Sequence, residues 1–281
     1  MSRRKPEAGA AVAESTATMT DRIDVSLRDG CALVFSDCHY DPEAPASTAH
    51  RAVVHLAKKL KPDLLVCGGN ALDWAGLSRH PKIMFEARPS PVSEIVVTQQ
   101  RLREIERAAP RAKRVWALGN HDQRLSSHIS NTSPQLEGLH GSRLEDFFPS
   151  WEMAWSAWIN PQATFPTVCK HRWHGGALAA RNNVTKGGTH VVTGHTHLLQ
   201  IVAHTDWLGT RYAVDTGCVA DVGSRLFASY TEKGCTGWRS GAALLQFADG
   251  EMLPPELVQV VTEHPEPGFG RVWWRGRLIA V

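Results

Sequence analysis

Over the first half of the chain, short unbroken apolar runs alternate with stretches in which apolar residues return every three or four positions. Residues 31–36, 64–67 and 114–118 are of the first kind and predict buried strands. Between them, Val53, Val54, Leu56, Ala57 and Leu60 mark one face of a helix over 47–60, which Pro62 stops. A second helix is predicted from Ser90 to about residue 109. Ser90 suits its N-cap, Pro91 its first helical position, and Glu94 places a carboxylate in the first turn, where the helix dipole favours negative charge. Strand–helix–strand–helix–strand alternation predicts a parallel sheet with right-handed crossovers.

After residue 163 the pattern changes. Short apolar segments at 165–169, 190–193, 199–204, 211–214, 242–247 and 257–261 follow one another with few helical stretches between them, and predict a mainly antiparallel half. Asp249-Gly250 reads as a hairpin turn. Residues 1–24 lack periodicity and read as a flexible tail, leaving 25–281 as a single domain. The segment 126–162 carries Phe147, Phe148, Trp151, Trp155 and Trp158 without clear periodicity. These aromatics suit either a substrate-facing cap, since ring faces stack on bases, or the packing of an insertion onto the core. The second reading is favoured.

Polar blocks sit directly after the apolar segments: Asp37-Cys38-His39, Gly69-Asn70-Ala71-Leu72-Asp73, Gly119-Asn120-His121-Asp122, His174-Gly175-Gly176 and Gly194-His195-Thr196-His197. Carboxylates, amide oxygens and imidazoles are ligand types for divalent ions such as Mn, Fe and Zn. At the carboxyl ends of parallel strands they would line the usual ligand crevice. Any single block is weak, because the chain has 14 histidines and chance matches are expected. Their order after successive strands is the informative feature.

Composition narrows the partners. With 31 basic and 28 acidic residues and a pI near 8.6, charge is almost balanced. The dense basic runs are confined to residues 3–5 and 111–114, so no stripe advertises a nucleic-acid groove. Six dispersed cysteines without a C-x-x-C pair argue against a disulfide framework and for a reducing, cytoplasmic setting. No apolar stretch is long enough to span a membrane, and the N-terminal residues lack a signal-peptide core.

The ordered blocks resemble the calcineurin-like metallophosphoesterases, whose motifs read DxH, GDxxD, GNH[DE], H and GHxH. Leu77-Ser78-Arg79-His80, His171-Arg172-Trp173-His174, Asn182-Asn183, Asp215-Thr216-Gly217 and residues 273–276 are similar to a subgroup common in phage and bacterial genomes. The resemblance implies an α/β fold, a four-layer α/β/β/α sandwich of two mixed sheets flanked by helices. It also implies two divalent metal ions, Mn first, with Fe, Zn, Ni or Mg as alternatives. Asp37, His39 and His197 would hold one ion, Asn120, His174 and His195 the other, and residue 70 would bridge them. His171 competes with His174, which the following glycines favour. His121 would act beside the phosphate, as proton donor to the leaving oxygen or as stabiliser of phosphoryl charge. Arg79, His80 and Arg124 suit either contact with substrate phosphate, which guanidinium groups match, or loops anchored by Arg–carboxylate pairs, and Asp73 would orient a ligand histidine. The implied activity is hydrolysis of a phosphomonoester or phosphodiester, possible on small molecules, nucleotides or nucleic acid, by a hydroxide that two metals activate.

Asn70 departs from the pattern, which has aspartate there. An amide brings no charge and bridges cations poorly, so the second ion is expected to bind weakly and hydrolysis to slow. Three readings follow: an inactivating replacement, an active variant in which Asp73 or Asp41 compensates, or a degenerate relative that binds phosphorylated ligands without turnover.

Overall fold

A computed structural model describes residues 20–82, 88–224, 227, 231 and 236–281. The predicted elements of the first half are present. Strands β1 (Arg22–Val25), β2 (Gly30–Phe35), β3 (Leu64–Cys67) and β4 (Lys113–Ala117) are joined by helices α1 (Thr48–Leu60), between β2 and β3, and α2 (Pro91–Ala108), between β3 and β4. The Ser47 side chain accepts from the His50 N–H, and that of Ser90 from the Ser93 N–H, so hydroxyl caps open both helices. Strand β1 begins inside the segment expected to be a tail, and residues 1–19 lie outside the described ones.

Helix α3 (Arg124–Thr132) follows, then β5 (Glu152–Ala154), β6 (Ser156–Ile159), β7 (Thr167–Lys170), helix α4 (Ala179–Gly187) and β8 (His190–Thr193). Strands β9 (Leu199–Asp206), β10 (Gly209–Thr216), β11 (Gly241–Ala248), β12 (Glu251–Met252), β13 (Glu256–Thr262), β14 (Arg271–Trp274) and β15 (Arg277–Ala280) complete the chain. One sheet runs β15-β14-β13-β11-β2-β3-β4-β5, with β12 hairpinned to β11 through Asp249-Gly250, both at positive φ. The other runs β1-β6-β7-β8-β10-β9.

The second half is mainly antiparallel, as expected: β9-β10 and the pairings from β11 to β15 all are. The exception is the β7-β8-β10 set, which is parallel, and α4, which was not foreseen, makes the crossover from β7 to β8.

Alternation along β2 divides the core. Leu33 and Phe35 face α1 and α2 with Val53, Leu56, Leu102 and Ile105, whereas Ala32 and Val34 face the second sheet with Val115, Val192 and Val214. Ala180 and Val184 of α4 cover the outside of that sheet against Ala213. The result is the expected four layers of helix, sheet, sheet and helix. Phe148 and Trp151 are buried, with Trp151 set edge-on to Phe35 and Trp116. They pack the insertion onto the core, as favoured over a cap.

Among the described residues the cysteines are free, and Cys67 and Cys169 are fully buried. No helix among them is long and apolar enough to cross a membrane.

Candidate metal centre

The carboxyl ends of β2, β3 and β4 in one sheet and of β7 and β8 in the other meet at one place. Two backbone bonds, Val219 N–H to Ser36 and Ala220 N–H to Asp37, tie the turn after β2 to the segment after β10. Asp37, with 0% exposure, lies at the middle. Its Oδ2 is fixed by the Ser36 hydroxyl (2.7 Å) and the His195 N–H (2.8 Å). Its Oδ1 faces a ring of side chains: His197 Nε2 at 3.3 Å, His39 Nε2 at 3.8 Å, His171 Nε2 at 4.0 Å and Asn70 Nδ2 at 3.2 Å.

Such crowding is enforced by the backbone. Asp37, His39, Asn70, His195 and His197 all take positive φ, a costly conformation for residues with a Cβ, and its clustering marks a functional site. The motif glycines allow close approach. A Cβ on Gly119 would meet Asn70 Oδ1 at 2.2 Å, and one on Gly194 would meet Asp37 Oδ2 at 2.4 Å.

Asp122 organises the next layer. Its carboxylate accepts the N–H groups of Asn70 (2.8 Å), Ala71 (3.2 Å) and Gly119 (2.7 Å) and the Trp116 indole N–H (2.9 Å). The sequence reading gave this residue no role, although it closes the Gly119-Asn120-His121-Asp122 block. Glu94 acts similarly, accepting the N–H groups of Asp73, Trp74 and Ala75, so α2 holds the turn that carries Asp73. Burial pushes the Glu94 carboxyl up to about 7.

Asp73 Oδ1 sits between two imidazoles, 3.3 Å from His39 Nδ1 and in hydrogen-bond contact with His121 Nδ1. The Arg124 guanidinium donates to the Asp73 carbonyl (2.6 Å) and to His121 Nε2 (3.1 Å). Since arginine only donates, His121 carries its proton on Nδ1. Burial pushes His121 down to about 4. Burial opposes the Asp37 carboxylate, but His171 and His197 hold its pKa well below the usual range. It also opposes the His39 imidazolium, yet Asp37 and Asp73 push that group up to about 10. For His195, burial and the neighbouring His171 push it down to about 4, leaving a neutral ring able to donate a lone pair.

Of His171 and His174, it is His171, not the expected His174, that faces Asp37. His171 is 2% exposed, with Nδ1 2.8 Å from the Gly68 carbonyl and Nε2 3.0 Å from Asn120 Oδ1, and its ring lies edge-on to His195. His174 instead stacks beside Trp173, and its backbone N–H donates to Asn183. His171 directly follows the last residue of β7, which aims it at the strand ends, whereas His174 comes three residues later in a bend, half-buried, with its Nε2 buried and without a hydrogen-bond partner.

Donor chemistry separates two positions. Asp37, His39 and His197 bring one carboxylate and two imidazoles within 4.8 Å of one another, and His39 Nε2 is buried without a hydrogen-bond partner. That set fits a divalent ion. The neighbouring position offers Asn120, His171 and His195, one amide and two imidazoles with no carboxylate of their own. The Asn70 amide separates the two. Its Oδ1 accepts the His121 N–H at 2.9 Å, which turns Nδ2 towards Asp37. A flipped amide would set one N–H against another, so the donor faces the position a bridging acceptor would need.

Four of the five blocks, with His171 from beside the remaining one, converge on one carboxylate between two stacked sheets. The chain resembles the calcineurin-like metallophosphoesterases. No family model matches it. The "Gene 54 protein" of Mycobacterium phage L5 is 28% identical over 245 residues, covering 79% of this chain and 91% of the relative. Its counterpart from Mycobacterium phage D29 is 28% identical over 233 residues, 75% and 87% respectively. Among solved structures, a single mutant of Vps29 from Entamoeba histolytica superposes at a TM-score of 0.43 with 13% identity, over 89% of this chain and 97% of that one. YfcE, a phosphoesterase from E. coli, superposes at 0.37 with 16% identity, over 80% and 97%.

Proposed function

We propose that the chain is a metal-dependent phosphoesterase that hydrolyses a phosphomonoester or phosphodiester, and that Asn70 weakens it. The reading rests on one observation: Asp37 Oδ1 is encircled by His39, His171 and His197 from three strand ends, with Asn120 and His195 beside them. Asp37, His39 and His197 would hold one divalent ion, and Asn120, His171 and His195 a second, more weakly held one. Such ions supply Lewis-acid stabilisation of phosphoryl oxygens and acidify water. The protein's own part is positional. Asp73 holds His39 and His121 in orientation, as carboxylates do for metal-binding histidines. With its Nε2 lone pair engaged by Arg124, His121 steadies that guanidinium, which would face the developing phosphoryl charge.

The Asn70–Asp37 hydrogen bond favours a second reading, a protein that binds phosphorylated ligands in the same crevice without turnover. Turnover of bis(p-nitrophenyl) phosphate with excess Mn, before and after Asn70→Asp, separates the two. The enzymatic reading expects the rate to rise about 100-fold or more. Absence of product from either protein would leave only the binding reading.

A further inference from the structure

A cleft of about 430 Å³ opens from the Asn120 side of the centre. Arg79, Arg124 and Arg172 line it, together with His80, and among the described residues no carboxylate does. Its floor is one face of α3, where Arg124, Ser127, His128 and Asn131 recur at helical spacing. Among the described residues its chemistry is guanidinium, imidazole, amide and hydroxyl. A larger cavity of about 540 Å³ opens from the His39 side and has the opposite character, with Asp41, Asp221 and Glu263 against Arg101. Charge therefore differs sharply between the two exits from the centre.

We propose that the Arg79–Arg124–Arg172 cleft binds a second phosphate of the substrate, next to the one held at the metal centre. The substrate class is then a polyanion with consecutive phosphates, either the backbone of a polynucleotide or a small polyphosphate. This deepens the phosphoesterase reading and rests on it for the position of the first phosphate. Guanidinium groups suit phosphate because their paired N–H donors match its oxygens. The acidic cavity opposite repels an anionic extension, so consecutive phosphates leave by the Asn120 side. The near-neutral composition hid this feature, because its cations come from two separate loops and a helix start.

The test is binding of a fluorescein-labelled oligothymidylate by anisotropy, and of inorganic tripolyphosphate by calorimetry, both with excess Mn. The proteins compared are the natural sequence, the exposed double variant Arg79→Gln/Arg172→Gln, and Arg111→Gln as a control away from the cleft. The double variant should raise the Kd of at least one probe about tenfold or more relative to the control. For the oligothymidylate it should also flatten the dependence of log Kd on log salt. A loss confined to the oligothymidylate assigns a polynucleotide, and one confined to tripolyphosphate assigns a small polyphosphate. Failure of the natural protein to bind either probe, or equal Kd values in all three proteins, would overturn the proposal. Intact cleft binding without hydrolysis of any phosphate ester would instead count against the enzymatic reading alone.

Discussion

With its Oδ1 fixed by the His121 N–H, the Asn70 side chain must present N–H groups to Asp37. It thereby places partial positive charge where a carboxylate at position 70 would require a cation, since two carboxylate oxygens about 3.2 Å apart repel. One atom thus alters the charge balance of the whole centre. Asp122 shows the same logic without a metal. Four N–H donors converge on its carboxylate, so Asp122→Asn would oppose an NH2 group to some of them. The expected cost is about 1–3 kcal/mol, read as a lower urea midpoint at unchanged m-value. No shift in midpoint would mean that the carboxylate does not hold the two loops together.

His190 gives a residue-level pH test away from the centre. Its Nδ1 accepts the Tyr212 N–H at 3.0 Å, and burial, helped by Arg211, pushes its pKa from 6.5 down to about 4. In that window the unfolded chain binds the proton and the folded one does not. Its contribution is therefore complete above pH 6.5 and lost as pH falls towards 4, by up to about 3 kcal/mol. His190→Gln keeps an acceptor but cannot titrate, so its stability should fall less between pH 7 and 4.5 than that of the natural sequence. Parallel pH profiles would contradict this.

At the scale of elements, the central strands and the first two helices were legible because each has one job and shows it, whereas the short strands β1, β5, β6, β14 and β15 were not foreseen. A run such as 64–67 is buried on both faces, and the stripe on α1 has one dry side. Helix α4 was not legible. It spans Ala179–Gly187 and buries only Ala179, Ala180, Asn183 and Val184, too few apolar positions to stand out in nine residues. Nor does strand composition reveal pairing direction, so the parallel β7-β8-β10 set was misread. The left-handed turns that aim Asp37, His39, His195 and His197 leave no mark in the sequence either, and the glycines that favoured His174 gave no sign that His171 is the one facing Asp37.

The aromatic insertion is open to test at this scale. Trp151 is 4% exposed, and its indole N–H donates to Glu106 at 2.8 Å, joining the insertion to α2; Trp155 is 41% exposed. Trp151→Ala should cost about 3–5 kcal/mol, and Trp155→Ala within about 0.5 kcal/mol, by chemical denaturation. Equal effects would contradict the packing assignment.

For the molecule as a whole, stacking two sheets does what neither sheet does alone. Asp37, Asn70 and Asn120 follow strands of one, His171, His195 and His197 follow strands of the other, and the apolar layer of Val34, Val66, Val115 and Val192 fixes their separation. Most of the candidate site residues could be named from sequence because they follow their strands closely, His174 being the exception, and the amide at Asn70 could be read there too. What the sequence withheld was the scaffolding by Asp122 and Glu94 and the basic cleft, which are made by residues that meet only on folding.

The most direct measurement is the number of Mn ions bound per chain, by calorimetry on metal-stripped protein, for the natural sequence and for Asn70→Asp. The account predicts one tightly bound ion in the first and two in the second. Two equally tight ions in both proteins, or none in either, would contradict it.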